Sequence, residues 1–265
     1  MAFRIDGARA TKATPIPPEN RDSHALEGLP ALEWKRRLDV VCILCCLPLI
    51  LPLMALIASW IKMVSKESIL LRQKRIGRGG KPFELYKFRC MKTHVGIQRQ
   101  GFYMRHLVKS GRPMIKMDTY CESGLIVGGH FLRVSGLDEL PQLWNVLRGE
   151  MSLVGPRPCL PSEYAWYSTP QKERFNGLPG LTGYWQVNGK NQLSFHEMNA
   201  MDVYYVRHAS ILMDLHIMLR TPVALLFQSA ISFRHQFAVM QGLRYQGFIC
   251  GANQEYAHRG YKRPL

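Results

Sequence analysis

Between Val40 and Ile61 the chain runs for 22 residues with Ser59 as its one clearly polar side chain. At about 1.5 Å per residue, a helix of that length reaches about 33 Å, enough to cross the hydrocarbon core of a bilayer. Pro48 and Pro52 interrupt it. Each removes an N–H and presses its ring on the preceding turn, which favours a kink. The flanks are basic on both sides, with Lys35, Arg36 and Arg37 before and Lys62 and Lys66 after. Basic flanks stay cytoplasmic, so a segment basic at both ends is poorly oriented as a span. A bent helix that enters the membrane and returns to the same face satisfies both ends. An ordinary kinked span and a buried helix of a soluble core are the competing readings.

The rest of the composition narrows the partners. The 265 residues include 35 Lys+Arg against 19 Asp+Glu, a net charge of +16, and 47% are apolar. Such a chain is too apolar for intrinsic disorder and long enough to bury a sizeable core. Its charge calls for an anion: nucleic acid, a phosphorylated ligand or an acidic membrane face. Fifteen Lys/Arg and two acids, Glu67 and Glu84, fall between Lys62 and Lys116, immediately after the apolar run. Cys42, Cys45 and Cys46 lie inside that run and the other four cysteines are scattered. Reduced thiols are therefore expected, with neither a disulfide framework nor a His/Cys metal site.

Residues 1–34, with Pro15, Pro17, Pro18 and Pro30, read as a flexible lead-in without the apolar core of a secretory signal. The membrane helix is expected over 35–62, a mixed, helix-rich α/β domain over 63–228, and a basic aromatic tail over 229–265. Ile69–Arg72 and Phe83–Phe88 read as short strands around the turn Gly77–Gly80. Ser135-Gly136-Leu137-Asp138 fits a capping box with Asp in place of Glu. It predicts a helix from Ser135 carrying Leu140, Leu143, Trp144 and Leu147 on its apolar side and stopping at Gly149. Ser194–Glu197 is a second capping box, opening a helix to about Arg207, and a third helix runs from Ile211 to about Phe227. Residues 93–130 give no clear pattern.

Three constellations could carry chemistry. Asp138 and Glu139 are adjacent, so on a helix they point about 100° apart. One carboxylate can attack while its neighbour holds a divalent cation; equally, acids suit a first helical turn for its dipole. In Gly155-Pro156-Arg157-Pro158 two prolines stiffen a turn around one guanidinium, which suits phosphate, or makes a rigid connector. In Tyr86-Lys87-Phe88-Arg89, strand alternation puts both cations on one face, toward a phosphate-rich ligand or toward solvent. An acid dyad, several cations and a membrane segment together fit phosphoryl transfer onto a lipid.

Asp138–Gln142, Trp144–Leu147 and Met151–Pro158 resemble the motifs of bacterial sugar transferases, the monotopic phosphoglycosyl transferases. The likeness extends over Lys35–Lys62, Arg72–Gly77, Lys81–Met91, Pro179–Gly183, Trp185–Gly189 and Asp202–Tyr205, roughly residues 35–227 in the family's order. The resemblance implies a re-entrant membrane helix hairpin and a small cytoplasmic catalytic domain with interfacial amphipathic helices, on the inner membrane. It implies transfer of a sugar-1-phosphate from a UDP-sugar to undecaprenyl phosphate, starting an exopolysaccharide, capsule or O-antigen unit. Asp138 would be the nucleophile and Glu139 the Mg²⁺ ligand. Lys87, Arg89, Arg133, Arg157 and Lys190 would neutralise phosphate charge, and Asp202 and Asp214 would support the site or the lipid acceptor.

Three departures stand out. Leu51 replaces the usual Ser before the kinking proline, Lys190 the common Arg after Val-Asn-Gly, and Gly136 a common Ser beside the dyad. The chain also resembles the minimal-length members, which lack a preceding four-helix membrane region. An oligomer is compatible with these features. A non-catalytic basic module that binds acidic lipid or an assembly partner is the alternative function. Nucleic acid is not an expected partner, since no recognition motif supports it.

Overall fold

The computed structural model describes residues 31–92, 125–189 and 193–240. Its first element, α1 (Ala31–Val64), contains both prolines and is helical throughout. It is the one helix among the described residues long and apolar enough to cross a membrane. Its apolar residues divide into two sets. Ile43, Leu47, Ile50, Met54, Ile57 and Ile61 recur every three or four residues and pack into the rest of the protein. Leu49, Leu56 and Met63 are 79%, 70% and 74% exposed. The helix thus contributes one seam to a protein core and shows the remainder of its apolar surface, far more than water tolerates on a stable monomer.

Two small sheets stand against this seam. Strands β1 (Leu70–Ile76) and β2 (Pro82–Phe88) form an antiparallel hairpin in which Leu71 faces Lys87, Gln73 faces Leu85 and Arg75 faces Phe83. The expected strands are present, the first starting at Leu70 and ending four residues beyond Arg72. The buried Leu85 meets Ile43, and Phe88 meets Ile57 and Ile61. The second sheet is a parallel pair of three-residue strands, β3 (Ser152–Val154) and β4 (Gly180–Thr182). Here Gly155 and Gly180 cross so closely that a Cβ on Gly155 would lie 2.3 Å from the Leu178 carbonyl oxygen.

The expected capping box at Ser135 is not formed. Helix α2 (Gly129–Ser135) ends at that serine, whose hydroxyl donates back to the carbonyls of Phe131 and Leu132. Gly136 takes the left-handed conformation (φ 76°) that closes a helix and that side chains resist. A 3₁₀ turn, Leu137–Glu139, follows, and the helix proper is short, α3 (Gln142–Leu147). Its buried face is Gln142, Leu143, Asn145 and Val146, whereas Trp144, expected inside, is 57% exposed.

After α4 (Pro161–Tyr164), a 3₁₀ helix (Pro170–Asn176) and α5 (Tyr184–Val187) come two longer helices. In α6 (Phe195–His208) the Ser194 hydroxyl accepts the Glu197 N–H while the Glu197 carboxylate accepts the Ser194 N–H, as expected. Helix α7 runs over Ile211–Met240, past the expected end near Phe227. Pro222 lies within α7 without ending it.

Because Ile61 is fully buried where α1 meets Phe88 and Leu132, Ile61→Ala is expected to cost about 2–5 kcal/mol. Thermal unfolding of the detergent-purified full chain should show a clear drop in Tm, while exposed Leu49→Ala should leave Tm within a degree or two.

Candidate active site

The acid dyad sits on the 3₁₀ turn, where successive side chains diverge by about 120° instead of the 100° expected on an α-helix. Asp138 is buried and Glu139 half-buried, so the two carboxyl groups occupy different surroundings. Lys87 lies within electrostatic reach of both, and of Arg75 and Arg133. Its position follows from the hairpin register, since Leu71, Gln73 and Arg75 share a face with Phe83, Leu85 and Lys87. Asn145 of α3 fixes the hairpin edge from the dyad's side. Its side-chain oxygen accepts the Tyr86 N–H (3.1 Å) and its amide donates to the Glu84 carbonyl (2.7 Å).

Arg75 is the residue that sequence reading passed over. It is buried, and its guanidinium donates to the Pro158 carbonyl (3.2 Å) and to the Gln73 side chain (2.8 Å), while Nε finds no partner among the described residues. The neighbouring Ile76 N–H bonds the Cys159 carbonyl (2.9 Å). The end of β1 is therefore tied to the chain just beyond Gly155–Pro158, and Arg75 feels both Arg157 and Glu139. Burial, reinforced by Arg157, lowers the Arg75 guanidinium to about 10. Burial and the charge of Arg75 push the Lys87 ammonium down to about 8, against the pull of Glu139 and Asp138. Both stay cationic at neutral pH, and among the described residues neither makes an ion pair. Cations gathered without a bonded counter-charge favour a multiply charged anion.

Arg157 is half-buried, and its carbonyl accepts from Arg174 (2.8 Å). Arg174, a second residue that sequence reading missed, is buried and pairs with Asp202 (2.6 Å) and Asn199 (3.0 Å), with a further bond to the Tyr167 hydroxyl. Asp202 is thus a buried partner of the cation that braces the arginine turn. Asp214 is equally buried, paired with Lys35 and accepting from the Tyr205 hydroxyl (2.6 Å). Arg133 closes α2 at the dyad. Arg89, beyond the end of β2, pairs with Glu67 (3.0 Å) and donates to Ser68. Lys190 lies outside the described residues.

Against known proteins, the family described as bacterial sugar transferase matches residues 31–228. The chain belongs to this family. An exopolysaccharide production protein ExoY of Sinorhizobium fredii is 34% identical over 212 residues, 80% of this transferase and 92% of the relative. A UDP-glucose:undecaprenyl-phosphate glucose-1-phosphate transferase of Caulobacter vibrioides is 38% identical over 200 residues, 72% and 69% of the two chains. A UDP-galactose-lipid carrier transferase of Erwinia amylovora is 35% identical over 71% of this transferase, which spans 39% of that longer protein.

The depressed Lys87 links the fold to pH. Because its folded value lies below the ordinary 10.5, protonated Lys87 destabilises the fold below about pH 8, and that cost fades as pH rises toward the unfolded value. Phosphate binding at this cluster would run the other way, since the Lys87 cation is lost above about pH 8. Titration of the transferase with UDP by calorimetry should show affinity falling between about pH 7 and pH 9.5. In Lys87→Arg this alkaline loss should disappear.

Proposed function

We propose that this transferase moves a sugar-1-phosphate from a UDP-sugar to undecaprenyl phosphate, releasing UMP, through a covalent sugar-phosphate on Asp138. The observation that carries the reading is an acid dyad, Asp138 buried, with Lys87 within reach of both carboxyl groups and Arg75 within reach of Glu139, two cations that lack an ion pair among the described residues. A carboxylate is a weak nucleophile toward a phosphate diester anhydride. Its attack becomes feasible where fixed cations stabilise the charge that spreads over the phosphoryl oxygens in the transition state.

In the first step a carboxylate oxygen of Asp138 bonds to the β-phosphorus. The bond from that phosphorus to the bridging oxygen breaks, and UMP leaves with the electron pair. Lys87 and Arg75 offset charge on the transferring phosphoryl group, and Arg157 and Arg133 complete the cationic surround. In the second step a phosphate oxygen of undecaprenyl phosphate attacks the same phosphorus. The acyl phosphate bond breaks, restoring the Asp138 carboxylate and yielding the undecaprenyl diphosphate sugar.

Among the described residues no three His, Cys, Asp or Glu side chains cluster as a metal cage. This donor set fits Mg²⁺, which is commonly held by one or two carboxylates together with substrate phosphates. Glu139, half-buried beside the nucleophile, would hold it, and the ion when bound would supply further charge neutralisation.

The reading places the protein on the cytoplasmic face of the inner membrane, with α1 in one leaflet. Its seam meets the same domain at Ile43 near one end and at Ile61 near the other. The Trp60 indole also donates to the Val127 carbonyl (3.2 Å). A straight span of about 30 Å would drag these domain contacts through the hydrocarbon.

The relatives are named for galactose and for glucose donors alike, so the donor is decided by assay. The full chain in membranes, given undecaprenyl phosphate, Mg²⁺ and a panel of UDP-sugars, is expected to release UMP with at least one donor. Asp138→Asn should lose that activity by about a thousandfold or more. Without acceptor, mass spectrometry should find the sugar-phosphate on Asp138. Undiminished UMP release by Asp138→Asn would overturn Asp138 as the nucleophile.

A further inference from the structure

The first turns of α1 make contacts that a simple membrane anchor does not need. The Lys35 ammonium is buried between the Asp214 carboxylate of α7 and the Tyr205 hydroxyl of α6 (2.8 Å to the hydroxyl). That hydroxyl shares its one proton between the Asp214 carboxylate (2.6 Å) and, more weakly, the Val154 carbonyl (3.2 Å). One turn further along, the buried Asp39 accepts the N–H of Leu153 (3.0 Å). Arg36 donates to the last carbonyls of α3, at Val146 and Leu147. Lys35 and Arg36, which read from sequence as part of a cytoplasmic basic flank, are thus committed to the protein, and Arg37 remains exposed beside Glu33.

Two of these attachments end on consecutive residues of β3, and both precede the arginine turn. Leu153 and Val154 are the last residues of a three-residue strand, and Gly155-Pro156-Arg157-Pro158 continues directly from it. On the β4 side the turn is held by the Gly155 N–H to Thr182 (2.9 Å) and the Gly180 N–H to Pro156 (2.9 Å). On its other side Arg174 holds the Arg157 carbonyl and Arg75 the Pro158 carbonyl, while the strand that leads into the turn is held by Asp39 and the Lys35–Asp214–Tyr205 cluster.

We infer that Asp39 and Tyr205, with Lys35 and Asp214, are positioning residues for catalysis, which set the place of Arg157 by fixing the backbone of β3. This rests on the transfer reading above. Since the cluster begins in the membrane helix, the arginine turn takes its position from the anchor rather than from the small sheet alone. A guanidinium must meet a developing charge to within a fraction of an ångström, and a displacement of about 1 Å can cost on the order of a hundredfold in rate.

The test uses the full chain in membranes, with the UDP-sugar that gives UMP release in the wild type. Asp39→Ala and Tyr205→Phe are made singly, and each again in the background of Arg157→Ala. Each single change is expected to lower kcat by about ten- to a hundredfold, with KM for the UDP-sugar moving less than about threefold. In the Arg157→Ala background the same change should cost less than about threefold, because the group it positions is gone. Asp39→Asn, which keeps a side-chain oxygen for the Leu153 N–H, should recover most of the activity. The full loss repeated without Arg157, or wild-type kcat in both single variants, would overturn the inference. Tyr205→Phe, which keeps the packed ring, decides the matter if Asp39→Ala does not accumulate. Asp138→Asn assayed alongside separates the two readings. Its activity would count against the covalent route through Asp138, whereas an inactive Asp138→Asn beside fully active Tyr205→Phe and Asp39→Ala would count against the positioning role alone.

Discussion

A two-stranded parallel sheet of three residues per strand has too few backbone bonds to hold the arginine turn after it steady. Everything near the dyad is built around that weakness. Buried side chains supply the missing bonds to main-chain atoms: Asn145 to the hairpin, Arg75 to Pro158, Arg174 to Arg157, Asp39 to Leu153 and Tyr205 to Val154. Each such group is expensive to bury and valuable once bonded, since losing one partner leaves the other unsatisfied in a dry interior. The site is therefore stiff because it is polar inside. A larger apolar core would not specify the same backbone positions.

The charge of +16 divides accordingly. Some cations are internal fasteners. Arg174 is neutralised by Asp202 and Lys35 by Asp214, and Arg36 spends its donors on helix-end carbonyls. Others, Lys87 and Arg75, keep their charge beside the dyad under strong desolvation. A count of basic residues merges these two populations, and burial separates them.

This explains what was legible in the sequence. The hairpin was readable because two apolar stretches flank a glycine-rich turn, and the Ser194 box because both of its partners are local. The dyad and the arginine turn stood out as short motifs. Arg75 was hidden among Arg72, Gln73 and Lys74, since its inward face depends on a strand register that extends past the apolar residues. The false helix start at Ser135 arose because a serine three residues before an acid has the same spacing in either setting, and Gly136 reverses the chain between them. Lys35 and Asp214 could not be paired from sequence at all, being 179 residues apart.

The two-sided character of α1 bears on how this protein comes to exist in a cell. Ile43, Ile57 and Ile61 complete its interior, while Leu49, Leu56 and Met63 stay outside it. A freshly made chain cannot finish its core without also assembling a greasy exterior. Folding and arrival at the bilayer are then a single event, and a water-soluble form of this domain would have to be redesigned, because trimming off the helix would remove part of the core.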